Sequence, residues 1–68
     1  MFHDEFYANR IATIEAEIKR KQAIASLIFS DSKLCQRRAE AAIRRIAKLR
    51  EQILTLEHAA AVEAELAA

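Results

Sequence analysis

Ile28-Phe29-Ser30-Asp31-Ser32-Lys33-Leu34 is the one stretch where a chain of strong helix formers is interrupted by three consecutive small polar residues. Ser and Asp side chains hydrogen-bond local backbone in competition with a helix, and each is a good N-cap for a helix that follows, worth about 1 kcal/mol. A turn at 30–32 folds the chain into a two-helix hairpin. Reading straight through gives one rod of about 100 Å at 1.5 Å per residue.

Outward from the turn runs a single heptad pattern. Residues spaced alternately four and three apart are Tyr7, Ile11, Ile14, Ile18, Lys21, Ala25, Ile28, Ser32, Cys35, Ala39, Ala42, Ile46, Leu49, Ile53, Leu56 and Ala60. They form a coiled-coil-like seam broken only by Lys21 and Ser32. Because the register passes through Ser32, periodicity alone fits both a hairpin and a continuous helix in a parallel coiled coil. Folding about Asp31 pairs Ile18 with Ile46, Ile14 with Leu49, Ile11 with Ile53 and Tyr7 with Leu56. It also sets Lys21 against the small Ala42, which leaves room for the lysine stem while its ammonium reaches water. Ile24, Leu27, Ile28 and Phe29 cover more of the helix circumference than a two-stranded seam buries, and folding back brings Leu34 and Cys35 against them. We therefore expect one all-α domain over residues 1–68: an antiparallel hairpin with helices at about 3–29 and 32–65 and a turn at 30–32, dimerising into a four-helix bundle. The continuous helix is the alternative.

The composition supports the helical reading and narrows the function. The 68 residues include no Gly and no Pro, so phosphate-cradling loops and tight hairpin turns have no material to form from. A chain this short rarely buries enough apolar area to stand alone, which points to self-association. The longest apolar run, 23–29, is far short of the ~20 residues a bilayer-spanning helix needs. The opening Phe2, His3, Asp4 and Glu5 do not resemble a secretory leader, and the single Cys35 makes no internal disulfide. We expect a cytoplasmic protein with no membrane contact.

Charge is strongly polarised beneath a formal net of +1. Residues 19–50 hold ten cations against Asp31 and Glu40, a net of +8, and the remainder holds Arg10 against eight acids, a net of −7. Lys33, Arg37, Arg44 and Lys48 fall opposite the second half of the seam, with Arg38 and Arg45 flanking them. This basic face is a candidate contact for an acidic protein or for nucleic-acid phosphates. Pairs four apart, such as Glu15 with Lys19 and Glu40 with Arg44, fit a solvated helix surface.

Nothing in the sequence supports catalysis. No nucleophile has a base beside it, Cys35 lies on the seam as a small hydrophobe, and Tyr7 reads as core with its hydroxyl at the edge. His3 and His58 match no dedicated zinc spacing, so we expect no metal, no cofactor and no small-molecule substrate.

A short, glycine-free helical hairpin with heptads, turning through small acidic and hydroxyl residues, resembles in architecture the Rop family of plasmid RNA-binding proteins. That resemblance covers length, turn character and heptads, without a shared sequence motif. It implies a dimeric four-helix bundle that binds RNA through a helix face. The chain also resembles the small hairpin co-chaperones of type III secretion, which shield an apolar partner helix. The reading we take forward is a non-enzymatic helical interaction module, an adaptor, co-chaperone or assembly subunit. Its apolar anchors are Phe2, Phe6, Ile24, Leu27 and Phe29, and its partner is a second copy or another helical protein. The alternative is a Rop-like nucleic-acid-binding bundle using Lys33, Arg37, Arg38, Arg44, Arg45 and Lys48.

Overall fold

The computed structural model describes residues 2–67, with side chains from Glu5 to Ala67. It is a hairpin. Helix α1 (Phe2–Ala25) runs into a single 3-10 turn (Ser26–Phe29), the chain reverses, and helix α2 (Lys33–Ala67) returns along α1. The molecule measures 55 × 14 × 11 Å with a radius of gyration of 15.8 Å. A globular chain of this length would have a radius near 11 Å, so the hairpin is slender, yet it is about half as long as the single rod. That settles the choice between the two readings in favour of the hairpin.

With no glycine, α1 has no residue suited to the left-handed C-cap that ends many helices, and none of the described residues adopts a positive φ. Reversal is achieved by other means. The Ser26 hydroxyl donates to the Ala23 carbonyl at 2.7 Å where α1 tightens into the 3-10 turn. Ser30 then leaves the helix in an extended conformation (φ −72°, ψ 150°), and its N–H donates to the Leu27 carbonyl at 3.0 Å. Its side chain and carbonyl stay engaged. The Ser32 N–H donates to Ser30 Oγ at 3.1 Å, and Gln36 Nε2 donates to the Ser30 carbonyl at 2.6 Å. Ser32 caps α2, its Oγ accepting the Cys35 N–H at 3.4 Å and its carbonyl accepting the Gln36 N–H at 3.0 Å. The first helix thus gives up regular α geometry four residues earlier than its apolar pattern suggests, because unwinding to a tighter turn satisfies carbonyls that the missing glycine cannot.

The core is the seam. Ile14, Ile18, Ala39, Ala42, Ile46 and Leu49 are buried, and all six are seam positions. Ile14, Ile18, Ile46 and Leu49 pack as one cluster with Ala25, Ile53 and Leu56 against it. Every other seam position is half-buried except Ser32, which is exposed at the turn. Towards the turn the buried positions are the small Ala39 (0% exposed) and Ala42, while Ile and Leu fill the middle. Lys21 is half-buried and lines an open groove with Ala42, the pairing its size suggested.

Candidate interaction surfaces

Because the two helices are antiparallel, positions just before a seam residue on either helix come to one side of the hairpin, and positions just after it come to the other. The first side is basic. There Arg45 Nε donates to Glu17 Oε2 at 3.2 Å, an ion pair spanning the two helices with its side chains 46% and 31% exposed. Such a partly solvated pair orients the helices more than it stabilises them. An open groove on the same side, nearer the turn, is lined by Lys21, Ile24, Arg38, Ala41, Ala42 and Arg45. A second lies past the middle, where Arg10 and Lys48 flank Ile14, Glu51, Gln52, Thr55 and Leu56.

Of the apolar anchors read from sequence, Phe29 is 91% and Phe6 60% exposed, Leu27 is exposed and Ile24 half-buried. The Phe2 side chain lies outside the described residues. These residues do not meet. Phe6 sits near the termini with its ring edge-on to Tyr7 at 5.4 Å between centroids, while Ile24, Leu27 and Phe29 sit at the turn, about 30 Å away along α1. Lys33, Arg37, Arg38, Arg44, Arg45 and Lys48 are all exposed. Lys33, Arg37, Arg44 and Lys48 follow one line down the outside of α2, whereas Arg38 and Arg45 turn towards α1 into the groove beside Ile24.

The other side of the hairpin holds residues that the sequence reading passed over. Ile43 and Leu54 are 46% and 66% exposed. They stand 11 residues, three helical turns, apart, each directly after a seam position. The signal for them was that spacing. Leu34, Val62 and Leu66 are exposed as well.

Near the termini the Tyr7 hydroxyl donates to Glu63 Oε1 at 3.1 Å. That hydrogen bond to a carboxylate, helped by partial desolvation and the carboxylate's charge, pushes the phenol above its ordinary value of 10.0. Cys35 is a free, half-buried thiol. Among the described residues no three His, Cys, Asp or Glu side chains gather as a metal site would need, and no helix is long and apolar enough to cross a membrane.

These features define a small antiparallel helical hairpin with one basic side and an opposite side that carries exposed Ile43 and Leu54. No family model matches the chain, and comparison with curated proteins and with solved structures returns no match.

Proposed function

We propose that the chain is a non-enzymatic helical interaction module that acts in the cytoplasm through helix-to-helix contacts, as an adaptor, co-chaperone or assembly subunit. The observation that carries this reading is the imbalance between core and surface. Among the described residues six are buried, while Phe6, Leu27, Phe29, Leu34, Ile43, Leu54, Val62 and Leu66 are large, apolar and exposed. Monomeric surfaces carry single apolar residues routinely, but this many on a hairpin with so small a core fits a molecule completed by a partner. Crosslinking in cells followed by mass spectrometry tests the anchors at the turn. Leu27→Asp with Phe29→Asp should abolish the partner bands or the self-crosslink. An unchanged pattern would remove the turn from the interface.

A second reading is supported by the outward basic line on α2, in which Lys33, Arg37, Arg44 and Lys48 are exposed with Arg38 and Arg45 beside them. Phosphates of a nucleic-acid duplex would meet it, with affinity falling steeply as salt rises. Titration with duplex RNA at low salt checks it. Binding that weakens stepwise as these six are neutralised supports it, and a flat titration removes it.

A further inference from the structure

The side of the hairpin that follows the seam differs chemically from the side that precedes it. Besides Ile43 and Leu54 it carries Ala8, Ala12, Ala47 and Ala61, all exposed, with Glu15, Lys19, Lys33, Glu40, Arg50 and Glu57 interspersed. Alanines let another backbone come close, and the mixed charges leave this side near neutral. The opposite side presents Arg10, Arg20, Arg38 and Arg45, so two copies facing each other there would repel.

Charge and shape converge on one register. The fold gathers residues 19–50, net +8, in the half nearer the turn and leaves the half with the termini at −7. The midpoint between Ile43 and Leu54 falls between Lys48 and Leu49, close to where the charge changes sign along α2 and within two residues of the middle of α2 itself. A two-fold axis there would lay Ile43 on Leu54 of a second copy and Leu54 on its Ile43. The same operation sets each basic half over an acidic half and overlaps the rods along almost their whole length. A face of 55 by 14 Å offers each copy about the 800 Å² that a standard interface takes.

We propose that the alanine-rich side carrying Ile43 and Leu54 is a docking surface for a second copy of this chain, packed antiparallel about a two-fold axis near Lys48 and Leu49. This rests on the helix-contact reading above and names its occupant, face and register. Two like-charge contacts are built into the arrangement: Glu40 of each copy comes opposite Glu57 of the other, and Glu15, level with Lys48 and Leu49, faces its own copy across the axis.

Light scattering and sedimentation equilibrium give the mass, and a spin-label distance gives the orientation. The wild-type chain should be a dimer whose dissociation constant rises with salt. Ile43→Glu with Leu54→Glu, both at exposed positions, should raise that constant tenfold or more while the helical circular dichroism is kept. Glu40→Lys should lower it several-fold by replacing its like-charge contact with an opposite one. A label at Lys33→Cys in a Cys35→Ala background keeps the test independent of the glutamate variants, and should report about 45 Å between copies from 1.5 Å per residue on either side of the axis. A chain that stays monomeric at millimolar concentration overturns the proposal and leaves the module reading to a different partner. A dimer with the labels side by side overturns the antiparallel register. A dimer indifferent to the glutamate substitutions overturns the face.

Discussion

The Tyr7 hydroxyl reaches Glu63, seven residues beyond the Leu56 that the seam register sets opposite it. The offset comes from helix geometry. Side chains lean towards the N-terminus of their own helix, so in an antiparallel pair Tyr7 leans outward past the end of the core while Glu63 leans back towards it. The two meet between their backbone levels and tie the first turns of α1 to the last turns of α2. Since the phenol is held above 10.0, its contribution is fully present below the unfolded value and is lost as pH rises through the folded one. Tyr7→Phe should lower the melting temperature at neutral pH and lose its effect in strongly alkaline solution. Phenolate absorbance should titrate later in the folded chain than in urea, and equal titrations would contradict the bond.

Leu49 is the most deeply buried large side chain, 1% exposed, in the cluster with Ile14, Ile18 and Ile46. Leu49→Ala removes that volume from the middle of a core with few other contacts, so it should cost about 2–5 kcal/mol. In a chain this small that is comparable with the whole stability. Urea unfolding followed by circular dichroism measures it.

Ala39 and Ala42 are small by necessity. They are buried on the seam between the two helices, and a larger side chain must push the backbones apart. Ala39→Leu, although more hydrophobic and a good helix former, should destabilise by about 1–3 kcal/mol through overpacking. A gain in stability from this substitution would show that the seam has room for a larger side chain at Ala39.

Ser32 holds the start of α2 through its contact with the Cys35 N–H. Ser32→Ala should cost about 1 kcal/mol and Ser32→Asp little. Because Ser32 is exposed and remote from the central cluster, a loss equal to that of Leu49→Ala would mean that its role exceeds capping. Thermal unfolding of the three variants side by side makes the comparison.

Much of this fold is legible in the sequence because one period governs it. The four-three spacing from Tyr7 to Ala60 names the buried stripe on both helices, and the polar triplet 30–32 marks the reversal. The form of the turn is less legible. A glycine-free reversal requires the cooperation of Ser26, Ser30 and Gln36, and Gln36 comes within 2.6 Å of Ser30 only after the chain has folded back. The Tyr7–Glu63 bond was hidden for a similar reason, since side-chain lean enters no heptad count. Ile43 lies one position off the seam, so the heptad did not name it. It is exposed because the neighbouring positions of α1 on that side, Lys19 and Gln22, are polar and themselves exposed. Phe6 and Phe29 stood out as anchors because they are large apolar residues off the main seam, but their placement at opposite ends of the rod depends on where the helices start and stop.

The most direct test of the account is the distance between the two ends within one chain. Spin labels at Asn9→Cys and His58→Cys, in a Cys35→Ala background and diluted into unlabelled protein, report that distance without contribution from neighbouring copies. The hairpin predicts about 20 Å or less, since the labels sit at nearly the same level on helices packed 8–10 Å apart. A separation of about 70 Å, the span of the intervening residues in one unbroken helix, would contradict it.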